Sequence, residues 1–152
     1  MGIKMEWFGL FEKEGSAKGS ATMQPITVEG ELAGLNLKQA LEAHQAWRAK
    51  LQKVLDGETN EKFDAEYVSA DNQCFLGKWI YNEAKTLYSK LPEYEFVRKA
   101  HAEFHVCAGE VLSQHQAGNL EEADLILKTK FRTSTNKNQM LLTNFFRVIK
   151  SR

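Results

Sequence analysis

Apolar residues recur every three or four positions along most of the chain after residue 36, which is the spacing of one face of an α-helix. Three long segments show this pattern. The first is expected to start at the N-cap Asn36 and to end at Gly57, the second to run from Pro92 to Gly118, and the third to start at Asn119. No sustained alternation of apolar and polar residues, the pattern of a half-buried strand, occurs in the sequence.

A shorter helical segment lies between the first two long ones. Its apolar positions are Phe75, Trp79 and Ile80. Asp71 or Asn72 can cap its start, and a weaker helical turn is expected around residues 63–68. The sequence therefore predicts an all-α four-helix bundle, in which three helices are long and the short one carries Cys74.

Residues 1–35 differ in composition from the rest of the chain. They contain six of the ten glycines and one of the two prolines, and no aromatic residue lies between Phe11 and Trp47. We therefore divide the chain into a flexible N-terminal leader at 1–35 and a bundle domain at 36–152. The leader has one apolar cluster, which either folds back loosely on the bundle or docks on a partner: Trp7, Phe8, Leu10 and Phe11.

Length and charge narrow the possible functions. A chain of 152 residues, 43% of them hydrophobic, can build one domain with its own core. Its 20 basic residues balance its 20 acidic ones, whereas proteins that bind nucleic acid or anionic membranes usually carry a basic excess. The N-terminus lacks the apolar stretch of a signal peptide, and no run of ~18 apolar residues could cross a bilayer. We expect a cytoplasmic protein with no nucleic-acid partner and no membrane insertion.

Three of the four histidines fall on apolar helix faces, where an unpaired imidazole is costly. His44 lies midway along the first long helix, and His101 and His105 lie one turn apart on the second. Two imidazoles at this spacing can hold one metal ion. A single buried histidine is more often a core residue satisfied by ordinary hydrogen bonds. One shared cation, however, would satisfy three ring nitrogens at once.

The two cysteines decide which metal the histidines could share. Two are too few for a disulfide scaffold. Cys74 lies near the predicted start of the short helix, where backbone N–H groups favour a thiolate. Cys107 follows His105 by two residues and points about 200° around the helix from it, so it is expected to be a small core residue. Three histidines with Cys74 would suit Zn²⁺, which binds nitrogen and sulfur tetrahedrally.

Other chemistries fit the sequence less well. A di-iron bundle needs several inward carboxylates, and Glu103 alone does not supply them. A haem bound by His44 and His101 would give Cys74 no role. A thiol enzyme built on Cys74, a histidine and Asp71 stays open as an alternative. The sequence contains neither a Gly-rich phosphate loop nor the Gly-x-Ser-x-Gly elbow of serine hydrolases.

Three motifs resemble those of the chemoreceptor zinc-binding family and occur in the same order. Residues 74–80, Cys-Phe-Leu-Gly-Lys-Trp-Ile, are similar to the family's Cys-x-Phe/Leu-Gly-x-Trp core. Residues 43–47, Ala-His-Gln-Ala-Trp, are similar to its upstream Ala-His-x-x-Trp element. His101 and His105 match its downstream His-x-x-x-His pair. The similarity covers about residues 37–149.

The resemblance implies a sensory domain of the kind found in bacterial chemotaxis receptors and diguanylate cyclases, with one zinc held by three histidines and one cysteine. Matched position by position, the implied metal ligands are His44, Cys74, His101 and His105. Trp47, Gly77 and Trp79 are expected to surround them, with Gly77 allowing a close backbone approach and Trp79 keeping water out. Family members usually carry an output module, so a stand-alone member is expected to signal through association with another protein, through a homodimer or through the leader.

These features predict a zinc-binding sensory or regulatory protein that is not an enzyme, because four protein ligands leave no position for a substrate. Its input would be the zinc level or oxidation of Cys74. Its output would pass to a bacterial signalling protein in a chemotaxis or cyclic-di-GMP type pathway. The rival hypotheses are a metal-free helical adaptor and a zinc or thiol hydrolase.

A homodimer is also expected, because the last helix has more apolar surface than one bundle seam needs. Two neighbouring stripes supply it, namely Leu141, Phe145 and Val148 beside Leu142, Phe146 and Ile149.

Overall fold

The computed structural model of the protein describes residues 30–152, and over this range the chain is predominantly α-helical. The predicted all-α fold is confirmed. Most of the predicted leader, with its apolar cluster at residues 7–11, lies outside the described residues. Within the described range, no helix is long and apolar enough to span a bilayer.

The helices follow each other in a simple order after a two-residue antiparallel ladder of β1 (Glu31–Leu32) and β2 (Leu35–Asn36). The long helix α1 is Leu37–Asp56. Three short helices follow: α2 (Ala65–Ser69), α3 (Phe75–Tyr81) and α4 (Glu83–Tyr88). The first corresponds to the weaker turn predicted around residues 63–68 and the second to the predicted short helix, while α4 was not predicted. The second long helix, α5, is Pro92–Gln116. The last helical stretch is continuous and consists of α6 (Leu120–Ile126), a π-helical turn (Leu127–Phe131) and α7 (Arg132–Lys150).

Local capping chemistry explains where the long helices begin and end. Asn36 caps α1, because its side-chain oxygen accepts a backbone N–H of the first turn at 2.9 Å. Gly57 ends the same helix with a φ of 70°, a conformation that glycine adopts without strain. Pro92 is the first residue of α5. Asn119 precedes α6 as predicted, but its side chain donates to Gln114 instead of capping the helix.

Residues 30–36, at the end of the predicted leader, form a small hairpin on the helical bundle. Ala33 and Gly34 have φ values of 49° and 89° and make the tight turn between the two strands. Leu35 is fully buried and Leu32 nearly so. The indole N–H of Trp79 donates to the backbone oxygen of Ala33 at 2.9 Å, which ties the hairpin to α3.

The core lies between the long helices and is rich in aromatic side chains. Phe131, in the π-helical turn, packs against Phe104 of α5 with ring centroids 5.1 Å apart. Phe145 of α7 meets the rings of Trp79 and Tyr88 edge to face. The π-helical turn adds a residue to one helical turn and so changes which residues face inward. The buried face of α7 consists of Ser134, Asn138, Leu142, Phe145 and Phe146.

The second apolar stripe of the last helix is used within the chain. Leu142 is fully buried and Phe146 is 2% exposed. The ring of Phe146 lies 6.2 Å from that of Trp79. This stripe therefore gives no support to the predicted homodimer, since two of its three members are already buried within the same chain.

Candidate metal centre

Three histidines and one cysteine from three separate segments meet in the core. His44 lies on α1, Cys74 immediately precedes α3, and His101 and His105 lie on α5. All four are buried, with Cys74 the most exposed at 4%. Their candidate donor atoms lie within 4.8 Å of one another. The fold thus brings together the four residues that the sequence singles out as metal ligands.

The spacing of the donor atoms fits one zinc ion. Cys74 Sγ lies 3.5, 3.3 and 3.6 Å from the Nε2 atoms of His44, His101 and His105, respectively. His101 Nε2 lies 3.2 Å from His44 Nε2 and 3.0 Å from His105 Nε2. Around a tetrahedral Zn²⁺ with ordinary bond lengths, two nitrogens are about 3.4 Å apart and a nitrogen and a sulfur about 3.6 Å apart. These five distances agree with this geometry to within a few tenths of an ångström. The remaining pair, His44 and His105, has its donor atoms within 4.8 Å of each other.

Main-chain carbonyl groups orient two of the imidazoles. His44 Nδ1 contacts the oxygen of Ala40, and His105 Nδ1 contacts the oxygen of Val68, each at 2.8 Å. Because a carbonyl oxygen only accepts, each Nδ1 carries the proton and each Nε2 turns its lone pair to the cluster, as a metal ligand must. Sequence reasoning missed these partners, since main-chain groups have no residue-type signal.

Burial keeps the three imidazoles neutral near pH 7. Desolvation lowers the pKa of His44 to about 4 and, with the nearby His44 ring adding to it, lowers that of His105 to about 3. The pKa of His101 falls well below its ordinary value, first through desolvation and then through the two neighbouring histidines. All three rings can therefore offer a lone pair to a cation at neutral pH.

The N-cap of α3 is Cys74, not the predicted Asp71 or Asn72. Cys74 Sγ accepts the backbone N–H of Gly77 at 3.3 Å. The carboxylate of Asp71 instead accepts a hydrogen bond from the Tyr81 hydroxyl at 2.5 Å. The contact with the first turn of α3 holds the Cys74 side chain in place beside the histidines.

The residues expected around the ligands have identifiable contacts. A Cβ added to Gly77 would lie 1.9 Å from the backbone oxygen of Asp71, so the close approach predicted at this position exists and requires glycine. Trp47 is buried and packs edge-on against Phe63. Trp79 packs against Phe145 and Phe146 of α7. That Trp79 also keeps water from the ligands stays a prediction.

The second cysteine lies outside this cluster. Cys107 is buried on α5, and desolvation raises the pKa of its thiol, partly offset by a hydrogen bond with Ser134. A neutral thiol in a core position is not a metal donor. Cys107 therefore provides a matched control for experiments on Cys74.

Comparison with known families matches residues 44–112 to the family model described as the chemoreceptor zinc-binding domain. The matched segment starts at His44 and includes the other three residues of the cluster. Comparisons with curated proteins and with solved structures find no match.

Proposed function

We propose that this chain, which carries a chemoreceptor zinc-binding domain at residues 44–112, binds one Zn²⁺ through His44, Cys74, His101 and His105 and acts as a sensory module. The observation that supports this most directly is the convergence of four buried donor atoms within 4.8 Å of one another, with five of their six separations close to those around a tetrahedral zinc ion. Imidazole nitrogen and thiolate sulfur are the donors that zinc prefers.

The role proposed for the metal is structural and regulatory, not catalytic. Catalytic zinc sites keep one position open for water or substrate and use three protein ligands, whereas four protein ligands close a tetrahedral site. The burial of all four side chains supports the same reading, because a substrate would need a path to the metal.

Zinc would act by linking segments that are distant in the sequence. His44 belongs to α1, Cys74 to the loop before α3, and the other two ligands to α5. Loss of the metal would leave buried imidazoles without their shared partner and release the Cys74 loop, which changes the surface offered to a second protein.

Two inputs are consistent with this mechanism. A fall in free zinc empties the site, and a peroxide removes one donor by oxidising the Cys74 thiolate to a sulfenic acid. Cys74 is 4% exposed, so an oxidant reaches it only when the loop opens. Zinc release measured during peroxide titration at buffered free zinc separates the two inputs: release at constant free zinc requires oxidation.

The proposed partner is a bacterial signalling protein of a chemotaxis or cyclic-di-GMP type pathway, and the description of the matched family as a chemoreceptor domain supports the chemotaxis alternative. Both cysteines of the chain are free thiols in the structure. Free thiols persist in reducing compartments. We therefore propose that the module works in the cytoplasm.

Elemental mass spectrometry of the untagged protein tests the function. After zinc is supplied and the excess removed, we expect one zinc per chain in the parent and in Cys107→Ala, and a large loss in Cys74→Ala. A parent that retains no zinc would contradict the proposal and favour the metal-free helical adaptor. Equal losses in both variants would contradict the proposed ligand set.

A further inference from the structure

His101 differs from the other two histidines of the cluster in the partner of its second nitrogen. The Nδ1 atoms of His44 and His105 both have carbonyl acceptors. The Nδ1 of His101, which is fully buried, has no hydrogen-bond partner within residues 30–152. When Nε2 of a histidine binds a metal, Nδ1 carries a proton and becomes a donor that needs an acceptor.

Asn138 on α7 has the complementary deficiency. Its side chain is 3% exposed, and its Oδ1 lacks a hydrogen-bond partner among the described residues. An amide oxygen only accepts hydrogen bonds. One other buried atom in the same state, Oε1 of Glu110, lies 3.2 Å from the Lys130 ammonium and is compensated by its charge.

The register of the helices places Asn138 at the level of the cluster. Glu103 of α5 pairs with Lys137 of α7 at 3.4 Å, and Glu110 of α5 pairs with Lys130 of the preceding π-helical turn at 3.2 Å. A step of seven residues along α5 therefore corresponds to a step of seven along the last helical stretch, in antiparallel order. In this register Asn138 lies opposite Ala102, the residue after His101.

A contact from α1 to α7 gives the same position independently. Gln45, the residue after His44, donates to Gln139 at 3.0 Å. Asn138, the residue before Gln139, is therefore level with a ligand-bearing turn of α1 as well as with that of α5. A buried amide side chain lies between two helices that carry metal ligands.

We propose that Asn138 is a positioning residue for His101, with its Oδ1 accepting the Nδ1–H of His101, directly or through one water, when zinc is bound. This inference rests on the proposed zinc function. The hydrogen bond would satisfy both unpaired atoms, fix the tautomer and ring orientation of His101, and connect α7 to a metal to which it supplies no ligand.

The neighbouring residues on α7 show why an asparagine here is informative. Leu142, Phe145 and Phe146 on the same buried face are apolar. The hydroxyl of Ser134, one turn earlier, donates to the backbone oxygen of Phe131 at 2.9 Å. The partners of Ser134, the Phe131 oxygen and the Cys107 thiol, both lie outside the four-residue cluster, so its replacement gives a matched control.

Zinc affinity, measured by competition with a chelator, tests the proposal. For Asn138→Leu, which keeps the volume but lacks the acceptor, we expect a loss of about 10- to 100-fold, the usual range for such a partner. The unfolding midpoint of the metal-free protein should not fall. Asn138→Asp restores an acceptor and should bind within about threefold of the parent, as should Ser134→Ala.

Nuclear magnetic resonance of the unaltered protein provides a readout that does not depend on any variant folding. In the zinc-bound parent, the Nδ1–H of His101 is expected to give a signal that exchanges slowly with solvent. Rapid exchange of this proton, an Asn138→Leu affinity within about threefold of the parent, or no rescue by Asn138→Asp would each overturn the proposal while leaving the zinc function intact. A parent that binds no zinc would overturn both.

Discussion

The two sides of helix α5 are held to the rest of the protein by different interactions. On one side, His101 and His105 meet His44 and Cys74 in a buried polar cluster. On the other, which faces the last helical stretch, Phe104 packs against Phe131, and the ion pairs to Lys130 and Lys137 lie at the surface with side chains about half exposed. Phe104 joins the two sides, since its ring also packs against those of His44 and His105. Burial of apolar surface stabilises the second side without a ligand, whereas exposed ion pairs add little. The proposed zinc would use the imidazole and thiolate lone pairs on the first side.

The lengths of the helices sharpen this difference. Helices α2 and α3, which carry the Val68 carbonyl and the Cys74 loop, have five and seven residues. Isolated helices below about 12 residues are not stable in water, so these two depend on tertiary contacts and on the site. The last helical stretch is long and has a continuous buried face. The metal is therefore expected to control the order of one side only.

Removal of zinc should have the largest and most local effect. With a chelator present, we expect amide hydrogen exchange in residues 65–81 to accelerate by about 100-fold or more, because structural zinc contributes several kcal/mol to the fold around it. Residues 131–146 of the last helical stretch should change much less. Equal acceleration in both regions would show that the two sides of α5 unfold as one unit and would break the comparison.

Phe131→Ala should lower the free energy of unfolding through the apolar side of α5 and leave the zinc content unchanged. Phe131 is fully buried against Phe104, and removing such a ring costs about 3–5 kcal/mol of unfolding free energy. The folded fraction should still bind one zinc, because the substitution removes none of the four candidate ligands and reaches them only through the ring of Phe104. Urea denaturation and zinc content measure the two effects, with Phe96→Ala, at a site 51% exposed, as a control expected to be close to neutral.

Acid should destabilise the metal-free protein through the histidine side. The pKa values of His44 and His105 are lowered to about 4 and about 3, so below pH 6.5 the unfolded chain binds more protons than the folded one. The contribution of these histidines to the free energy of unfolding is therefore fully present above pH 6.5. It is lost as the pH falls toward their pKa values in the folded protein. His44 alone accounts for roughly 3 kcal/mol. Urea denaturation between pH 7 and 4.5 measures the slope, and His44→Gln should reduce it; a flat profile would contradict the neutral, buried state of these rings.

The helix ends and the four-residue cluster were accessible from the sequence because both depend on local rules. Asn36 and Pro92 mark helix starts through their own side chains, and His101 with His105 shares a helix face by spacing alone. His44 is singled out by its place on an apolar helix face and Cys74 by its place near the start of the short helix, and the family's motifs select the same two residues.

The features that the sequence did not reveal depend on backbone geometry or on distant partners. The hairpin was missed because Ala33 takes a positive φ that is usually left to glycine or asparagine. Cys74 was not recognised as a cap, since sulfur is not a usual capping acceptor. Asn138 has no special place in the helical pattern, and only the antiparallel register of α5 and α7 brings it level with the cluster.

Gly77→Ala should destabilise the histidine side of α5 by moving the backbone next to Cys74. The new Cβ would require the Asp71 backbone to move, which costs about 1–3 kcal/mol and displaces the loop that carries Cys74. We expect lower stability together with lower zinc affinity by chelator competition. Gly57→Ala is the control: its φ of 70° strains an alanine, but open space surrounds it, so stability alone should fall. Unchanged zinc affinity in Gly77→Ala would show that the loop can move without displacing the Cys74 side chain from the cluster.

Trp79→Phe should have the smallest effect on stability. It tests the residue that contacts both α7 and the N-terminal hairpin. The ring of Trp79 packs on Phe145 and Phe146 of α7, while its indole N–H donates to the Ala33 oxygen of the hairpin. Phenylalanine keeps most of the ring contact and removes the donor, for a cost of about 1 kcal/mol. Amide exchange at residues 31–36 should accelerate while that of α7 stays the same. The substitution leaves Leu32 and Leu35 buried. If amide exchange in the hairpin does not change, the burial of these two side chains, and not the hydrogen bond from Trp79, holds the hairpin to the bundle.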